Sequence, residues 1–518
     1  MELVNLLKGA EVLKIIGSKD IKVSGVSINS KNVKKGYLFC AVSGFKKDGH
    51  DFIEESINNG AAAILLDKEN ILKEGGINNK LNNKEITFIL VKDSRKQLPI
   101  ISKNFYNNPT EKLILCGVTG TNGKTTTVFL TNEIFKAAGF KTSYITTVEA
   151  GINDKKLKFE RTTPESLELN DFFYKCTLEN VDASFIEVSS HSIDLHRVDF
   201  LHFDYFAFTN LTQDHLDYHL TMENYFKVKE RLFLPEYRNI FNGKGAVINI
   251  DDYYGRILTK ETDLDLITIS TLDQSADLLA CNIKNSINGI TMDIKLSTKA
   301  IKKAGLRNLK NSFDKFFIES NLCGTFNIYN IITAVGLGIL AGVNPKSIAE
   351  GILNLKGVKG RFEKFYIKEK YVIVDYAHTP DGLKNVLETA KYLLPPNAKL
   401  ICVFGCGGDR DKKKRKIMGQ ISAELSDISI ITSDNPRSEK PEDIIDMIEE
   451  GFKLANVNKN NYLKITDRKE AIFKALSIAN KNDIIVIAGK GHEDYQEFAD
   501  KKIHFSDQEV VMQWAYMN

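Results

Sequence analysis

Short apolar runs alternate with helix-like segments along the middle of this chain. Lys112–Cys116 predicts a buried strand, Thr126–Ala138 predicts a helix closed by Gly139, and Ala183–Val188 predicts a second buried strand. Strands that alternate with helices in this way are typical of a parallel sheet with helices on both faces. The middle of the chain is therefore predicted to be an α/β domain.

Weaker patterns of the same kind precede this region. Ile21–Val23 and Tyr37–Val42 have strand-like composition, Phe52–Gly60 has a helical pattern, and Ala61–Leu66 predicts a buried strand. The turn-forming triplet Asn107-Asn108-Pro109 then interrupts the pattern. We place the first domain boundary there.

A third region opens near Gly360. It holds three strand-like runs, Tyr371–Asp375, Leu400–Phe404 and Ile484–Ala488, and each is followed by a polar or glycine-rich loop. In open α/β sheets such loops carry ligands. A chain of 518 residues is also too long for one hydrophobic core. We predict three α/β domains, comprising residues 1–108, 109–358 and 359–518.

Composition narrows the class of protein. A formal net charge of +3 is close to neutral for this length, so it does not favour nucleic acid or an anionic membrane as a partner. No basic start precedes a long apolar segment, and no run of 18 apolar residues occurs, so a cytoplasmic protein is expected. The seven cysteines show no Cys-x-x-Cys spacing, which favours reduced core thiols over disulfides or zinc.

The stretch from Gly117 to Thr127 carries the clearest chemical signal. It follows an apolar strand and contains Gly120-Thr121-Asn122-Gly123-Lys124-Thr125-Thr126, the strand, loop and helix start that turn backbone N–H groups toward phosphates. Lys124 can reach the β- and γ-phosphates, and the Thr125 hydroxyl can bind Mg²⁺. Val118 stands where the strict motif has glycine, and a glycine-rich turn without a ligand is the alternative. We expect the protein to use a nucleoside triphosphate.

Two further polar segments belong to the same predicted domain. Glu187 follows a buried strand, where a carboxylate could hold Mg²⁺. A serine nucleophile within Glu187–His191 is the competing interpretation, but the Gly-x-Ser-x-Gly elbow is absent. His215 and His219 would lie one turn apart on a helix, a spacing that suits zinc but is more often structural.

The basic run Lys412–Lys416 allows two interpretations. It could be a nucleic-acid or targeting patch, or it could begin a solvated helix beside the glycine-rich loop Gly405–Asp411. Its position directly after that loop favours the helix.

Taken together, these segments resemble the Mur ligase family, which forms amide bonds in peptidoglycan precursors at the expense of ATP. The matching segments run over nearly the whole chain, in one order and spacing: Gly44 with Asp48–His50, the phosphate loop, Thr162–Glu165, Glu187–His191, Thr209–Leu211, Asp214–His219, Lys229, Gly324 with Phe326, Asn327 and Asn330, Gly360–Glu363, Asp375–Pro380, Gly405–Asp411, Asp434–Arg437 and Gly489–Glu493.

The resemblance implies a reaction and a set of ligands. The partners would be ATP, UDP-MurNAc-L-Ala-D-Glu and a diamino acid, and Mg²⁺ would be the cofactor. ATP would phosphorylate the D-Glu γ-carboxylate, and an amine would then displace phosphate, which divides one difficult step into two. We also expect a monomer that has no nucleic-acid partner and is not inserted in a membrane.

The resemblance also implies roles for individual residues. Lys124, Glu187, His215 and Lys229 would be catalytic; Thr125, Glu187, His215 and Lys229, the last as a carbamate, would bind metal. The nucleotide would contact the phosphate loop Gly120–Thr126 together with Asn327, Asn330, Arg361, Asp375 and His378. The UDP-linked substrate would contact Ser30, Thr162, Thr163, Ser189 and Arg197.

Several positions depart from the family pattern. Asn29, Lys31, Arg161 and Leu195 replace residues that the family usually carries, which affects details of substrate contact but not the reaction class. An ordinary surface lysine remains the alternative for Lys229.

Asp434-Asn435-Pro436-Arg437 would select the amino acid. Family members with this Arg add meso-diaminopimelate, whose distal carboxylate an Arg fork can bind bidentately. Arg410, Gly489 and Glu493 would complete the pocket. Lanthionine offers the same two ends, and the lysine-adding enzymes of the family, a folylpolyglutamate-synthetase-like ligase and a nucleotide-dependent switch protein are the alternatives.

Overall fold

The computed structural model describes residues 1–44, 47–72, 86–303, 315–455, 458 and 461–517. These residues divide into two compact units. The first comprises Met1–Leu279, Leu296–Asp314 and Ile332–Gly351, and the second comprises Ala280–Lys295, Lys315–Ile331 and Ile352–Asn518. Within them lie three sheets of mostly parallel strands, as the alternating pattern predicts. The exact domain boundaries at residues 108 and 358 stay predictions.

The first unit begins with a five-stranded sheet in the order β1-β5-β4-β3-β2. All neighbours pair in parallel except β1 and β5. The strands are β1 Val12–Ile16, β2 Gly25–Ser27, β3 Tyr37–Cys40, β4 Ala63–Leu66 and β5 Thr87–Val91, and the helices are Leu3–Leu6, Ile53–Asn58 and Ser94–Phe105. The strand predicted at Ile21–Val23 is wrong, because only Lys22 forms an isolated bridge, with Glu2.

The central sheet of the first unit has the order β13-β12-β11-β6-β10-β7-β8-β9. Its strands are β6 Ile114–Thr119, β7 Thr142–Ile145, β8 Ala150–Ile152, β9 Lys155–Leu157, β10 Ala183–Glu187, β11 Tyr205–Phe208, β12 Gly245–Asn249 and β13 Asp265–Ser270. The strands from β13 to β7 are parallel, and β8 and β9 are antiparallel additions at the edge.

Helices accompany this sheet as the sequence predicts. They are Lys124–Ala137, Ser166–Leu178, Ser190–Asp194, Leu216–His219, Met222–Glu230, Tyr253–Glu261 and Thr298–Lys303, and the helices Thr325–Leu340 and Pro345–Asn354 run across the division between the units. Every residue of β10 and β12 is buried, which is the property of strands covered on both faces. Such strands read as continuous apolar runs in the sequence, and β10 was predicted as Ala183–Val188, whereas β12 was not predicted.

The second unit contains the third sheet, in the order β17-β18-β22-β19-β20-β21. Its strands are β17 Glu363–Ile367, β18 Lys370–Asp375, β19 Leu400–Phe404, β20 Ile428–Ile431, β21 Tyr462–Lys464 and β22 Ile484–Ala488. Strand β14, Leu278–Ser286, starts in the first unit beside β13 and continues into the second. There it neighbours β15 Gly289–Leu296, which pairs antiparallel with β16 Lys315–Ser320.

The remaining elements of the second unit are a hairpin, β23 Tyr495–Glu497 with β24 Lys502–His504, and the helices Pro380–Tyr392, Lys413–Leu425, Pro441–Leu454, Arg468–Ile478 and Asp507–Met517. Strands β18, β22, β19 and β20 are mutually parallel, so the loops that follow them meet at one edge of the sheet. These loops contain the segments that the sequence assigns to ligands.

The seven cysteines are free, and six of them are buried. Within the described residues, no helix is both long enough and apolar enough to span a bilayer.

Candidate active site

The phosphate loop lies between β6 and the helix Lys124–Ala137. Gly120 and Gly123 have φ angles of 141° and 87°, values that favour glycine. A Cβ atom on Gly120 would lie only 2.0 Å from Thr209 Oγ1. The same Thr209 hydroxyl donates to the Asn122 carbonyl at 2.6 Å, which braces the loop from the end of β11. The loop is thus a rigid turn that leads into the helix N-terminus, where backbone N–H groups favour anions.

Lys124 folds back over this loop. Its Nζ donates to the Gly120 carbonyl at 3.0 Å and to the Thr121 carbonyl at 2.7 Å. The ammonium therefore lies on the segment that the sequence predicts to hold phosphates.

Glu187 ends β10 next to this loop. Its carboxylate is 1% exposed; Oε1 accepts from the Thr125 hydroxyl at 2.7 Å and from the Thr147 N–H at 2.8 Å. The parallel register of β10 and β6, which pairs Glu187 with Val118, brings the two strand ends together.

The Thr125 and Glu187 oxygens fit the hard-donor preference of Mg²⁺. Across the part of the chain that the structure describes, no group of three or more His, Cys, Asp and Glu side chains could hold a metal. Mg²⁺ commonly takes one or two protein oxygens and completes its shell with water and substrate phosphates, so this donor pair is sufficient for that mode of binding.

Lys229 is buried near the same loop. It is 1% exposed, and its Nζ donates to the Gly120 carbonyl at 2.9 Å and to Thr119 Oγ1 at 3.3 Å. Burial, together with repulsion from Lys124, holds the pKa of Lys229 well below its ordinary value. The alternative of an ordinary surface lysine is wrong.

His215 lies in a cluster of aromatic rings. Its ring centre is 4.9 Å from that of His191, and burial lowers the pKa of both imidazoles. The predicted helix around it is a single turn, Leu216–His219, preceded by His215 at a left-handed φ of 52°.

His219 contacts a hydroxyl group. Its Nε2 lies 2.9 Å from the Ser190 hydroxyl, and burial lowers its pKa to about 4. One ring nitrogen is thus engaged by serine, and the interpretation of His219 as structural fits this contact.

The residues predicted for the UDP-linked substrate form a hydrogen-bonded patch around Glu187. The Thr163 hydroxyl donates to the Glu187 carbonyl at 2.8 Å and lies 3.4 Å from Ser189 Oγ. Thr162 Oγ1 accepts from the Thr147 hydroxyl at 3.0 Å. Predicted nucleotide and peptide contacts therefore share one wall.

Arg197 extends this patch. Its Nη1 donates to the Thr163 carbonyl at 3.2 Å, and its Nε lies 3.1 Å from Glu165 Oε1. The other oxygen of Glu165 meets Arg95 Nη1 at 3.4 Å. Arg95 comes from the helix Ser94–Phe105, so Glu165 ties the N-terminal sheet region to the central one. Sequence reasoning missed Arg95.

Ser30 lies in the N-terminal region, away from these contacts along the chain. It is buried, and its hydroxyl donates to Glu55 Oε2 at 2.7 Å. The neighbouring Asn29 side chain accepts from the Lys31 N–H at 3.1 Å, which shapes the turn. The turn that the sequence predicts to meet uracil is thus internally hydrogen-bonded.

In the second unit, Asn327 and Asn330 are both buried at the start of the helix Thr325–Leu340. Asn327 Nδ2 donates to the Cys323 carbonyl at 2.8 Å, and Asn330 Nδ2 donates to Asn327 Oδ1 at 2.9 Å. The two side chains are thus hydrogen-bonded to each other through their amide groups.

Arg361, Asp375 and His378 lie around the end of β18. The Arg361 guanidinium stacks 5.0 Å from the ring centre of Tyr376, and the Asp375 carboxylate accepts from the N–H groups of Phe362 at 2.6 Å and Ala377 at 2.8 Å. His378 Nδ1 lies 2.9 Å from the Tyr376 carbonyl. Burial raises the pKa of the Asp375 carboxyl.

The loops after β20 and β22 meet around a buried lysine that sequence reasoning missed. Lys490 Nζ donates to Glu493 Oε2 at 3.0 Å and to Asn435 Oδ1 at 3.2 Å, and lies 3.8 Å from Asp434 Oδ1. Asn435 Nδ2 also donates to Glu493 Oε2, at 3.0 Å. Position 489 favours glycine, because a Cβ atom there would lie 2.6 Å from Asp434 Oδ2.

This cluster brings the carboxylates of Asp434 and Glu493 to the Lys490 ammonium. Carboxylates of this kind can also pair with a cationic group of a ligand. The sequence could have indicated Lys490, because this residue lies inside Gly489–Glu493, one of the segments that resemble the family.

Arg437 lies beside the cluster. Its Nε donates to Glu497 Oε2 at 3.0 Å, and its Nη1 donates to the Gly408 carbonyl at 2.8 Å. Gly408 cannot carry a side chain, because a Cβ atom would lie 1.8 Å from the Pro436 carbonyl oxygen. Arg410, predicted for the same pocket, is exposed.

The basic run Lys412–Lys416 begins the helix Lys413–Leu425, but the helix is not fully solvated. The Arg415 side chain is 0% exposed and forms a two-point pair with Glu439, both distances being 2.8 Å. Glu439 also accepts from the Asp409 N–H at 2.7 Å. Arg415 therefore braces the glycine-rich loop.

Three protein-family profiles match the chain. They are described as Mur ligase family, catalytic domain (residues 22–106), Mur ligase middle domain (118–338) and Mur ligase, glutamate ligase domain (360–491).

Curated proteins and solved structures agree with these matches. A protein from Clostridium tetani is 44% identical over 99% of this chain and 98% of its own length, and one from Clostridium botulinum is 42% identical over 99% of both; each is named UDP-N-acetylmuramoyl-L-alanyl-D-glutamate--2,6-diaminopimelate ligase. A solved structure with the same name is 30% identical, with a TM-score of 0.66, and covers 96% of this chain and 95% of its own.

Proposed function

Because the chain belongs to the Mur ligase family, we propose that it joins 2,6-diaminopimelate to UDP-N-acetylmuramoyl-L-alanyl-D-glutamate at the expense of ATP. The observation that carries this proposal is the meeting of the loops after β20 and β22 around Lys490. The short segment Asp434–Arg437 contains both the Arg437 guanidinium and two residues, Asp434 and Asn435, of the cluster around Lys490. Diaminopimelate has a carboxylate and an ammonium at its distal end, which these two features complement.

ATP activates the acceptor. A carboxylate resists attack by amines, so transfer of the γ-phosphoryl group to the D-Glu γ-carboxylate supplies a leaving group. The phosphate loop orients the nucleotide, and the Lys124 ammonium moves from its loop carbonyls to the phosphates. Thr125 and Glu187 would hold Mg²⁺, which would supply charge neutralisation for the transferred group.

Lys229 serves this site as a carbamate. The free amine of a lysine, not its ammonium, adds to carbon dioxide and releases one proton, and the lowered pKa of Lys229 favours the free amine. The product is an anion in place of a cation, and together with His215 it would hold a second Mg²⁺. The buried Lys229 as carbamate and the neutral imidazole of His215 bear no positive charge and thus suit cation binding.

The wall formed by Thr162, Thr163, Ser189 and Arg197 holds the UDP-linked peptide. Arg197 is paired with Glu165, so its guanidinium is already oriented before substrate arrives. Ser30 contacts the uracil end. Asn327, Asn330, Arg361, Asp375 and His378 serve the nucleotide.

In the amino-acid pocket, Glu493 receives the distal ammonium and Arg437 receives the distal carboxylate, with Asp434, Asn435, Pro436, Gly489 and Arg410 forming the rest of the site. L-lysine lacks the carboxylate and would leave Arg437 without that partner. The protein works in the cytoplasm, because its proposed substrates are a nucleotide-linked precursor and a free amino acid. Its monomeric state stays a prediction.

The decisive experiment offers the purified protein ATP, UDP-MurNAc-L-Ala-D-Glu and, in parallel, meso-diaminopimelate, lanthionine or L-lysine, with products read by mass. We expect the diaminopimelate product. A lysine product in its place would identify the lysine-adding form, and ATP turnover without either co-substrate would identify a nucleotide-dependent switch.

Replacement of Arg437 by alanine tests the selector. We expect kcat/KM for diaminopimelate to fall about 10- to 150-fold, since a charge-assisted hydrogen bond contributes about 1.5–3 kcal/mol. Turnover of L-lysine should change far less. Equal losses for both amino acids would show that Arg437 supports the fold and does not select the substrate.

A further inference from the structure

Arg437 is held on more than one side before any ligand binds. Its backbone N–H donates to the Glu497 carbonyl at 3.1 Å, its Nε donates to the Glu497 carboxylate at 3.0 Å, and its Nη1 donates to the Gly408 carbonyl at 2.8 Å. The residue also has a left-handed φ of 50°. The Nη2 group makes none of these three bonds, so the held guanidinium still has a donor group to offer.

Glu497 is itself fixed by the hairpin that carries it. It ends β23 and pairs with Lys502 of β24, and its N–H donates to Asn435 Oδ1 at 3.0 Å. Its side chain is 41% exposed, so it can be replaced without opening a cavity in the core. Glu497 lies outside every segment on which the family resemblance rests.

We propose that Glu497 is a positioning residue for the amino-acid substrate: its carboxylate fixes the Arg437 guanidinium in the orientation that receives a distal carboxylate. This inference rests on the proposed diaminopimelate activity. A long arginine side chain that is free in solution loses rotamer freedom when it binds a ligand, and a side chain that is already held loses less. Glu497 therefore acts on substrate affinity through Arg437.

The first test compares steady-state constants. In Glu497→Ala we expect the KM for diaminopimelate to rise about two- to fivefold, the range that a partly exposed ion pair can supply. The kcat and the KM values for ATP and UDP-MurNAc-L-Ala-D-Glu should stay unchanged. Glu497→Gln keeps an oxygen acceptor for Nε and should stay within about twofold of wild type.

A matched control is Glu509→Ala, which removes an exposed carboxylate paired at 2.7 Å with His504 in the same unit. It should leave all constants unchanged. A similar rise of all three KM values in Glu497→Ala would overturn the proposal, because that pattern indicates a general loss of structure.

A double-mutant cycle supplies the sharper test. If Glu497 acts through Arg437, Arg437→Ala and Arg437→Ala/Glu497→Ala should have the same kcat/KM for diaminopimelate. Independent, multiplying losses would overturn the positioning role while wild-type ligation of diaminopimelate leaves the proposed function intact. Failure of the wild type to use diaminopimelate would overturn both.

Discussion

Lys229 and Lys490 are equally hidden from solvent, yet their neighbours are opposite in kind. Lys229, in the first unit, donates to a carbonyl and a hydroxyl and lies 4.9 Å from the centre of the Tyr225 ring. Lys490, in the second unit, lies against the carboxylates of Glu493 and Asp434. Burial alone thus does not decide what a lysine can do. Neutral partners favour a reactive amine, and anionic partners favour a structural cation.

The largest effect should come from removing the structural cation. Lys490→Met leaves two buried carboxylates without their ammonium, which should cost the second unit about 3–5 kcal/mol of stability. Urea unfolding monitored by tryptophan fluorescence measures it, because Trp514 belongs to that unit.

The matched control for Lys490 is Lys464→Met, which breaks pairs with Asp446 and Glu449 at a lysine that is 40% exposed. That change should cost about 1 kcal/mol or less. Equal costs for the two variants would show that the buried cluster contributes no more than a surface pair.

Removing the reactive amine should affect catalysis instead. Lys229→Ala should lower kcat by more than about 100-fold, as expected for loss of a group that holds catalytic metal, while binding of the UDP-linked substrate persists. Lys227→Ala removes a 59% exposed lysine from the same helix and should be fully active. A fully active Lys229→Ala would contradict the carbamate.

A smaller effect concerns pH. Because the folded pKa of Lys229 lies below its ordinary value of 10.5, the unfolded chain binds more protons between those two values, and stability must rise with pH across that window. Lys229→Met has no titratable group at this position, so its stability lacks this pH dependence. In carbonate-free buffer its stability relative to wild type should therefore fall as the pH rises toward 10.5, by at most about 1.4 kcal/mol per pH unit.

Guanidinium or urea midpoints measured at several pH values test this slope. A difference between the two proteins that is independent of pH would mean that Lys229 is charged in the folded state.

Strands β19 and β22 show what the sequence could predict. Leu400–Phe404 and Ile484–Ala488 are confirmed to the residue, because strands buried on both faces leave continuous apolar runs with sharp ends. The Ile21–Val23 prediction failed because a short run of strand-forming residues cannot by itself indicate whether a partner strand lies beside it.

The candidate site divides in the same way. The phosphate loop and Glu187 were predictable because a local motif and a strand end determine them. The burial of Lys229 was not, since it depends on packing against residues about a hundred positions away. Arg415 was misjudged for the same reason: its partner Glu439 lies on a different loop. Contacts of this kind follow from tertiary structure and leave no periodic signal in the sequence.

One buried pair has a consequence for synthesis. Asp507, at the start of the helix Asp507–Met517, binds Arg468, whose Nη2 donates at 3.0 Å to the Ala488 carbonyl just before Gly489. The next residue, Gln508, donates at 2.9 Å to the Gly491 carbonyl. The segment Gly489–Glu493 is thus anchored by residues translated after it. A nascent chain can form the turn Gly120–Lys124 early, but the segment Gly489–Glu493 gains these anchors only after Asp507 and Gln508 have left the ribosome.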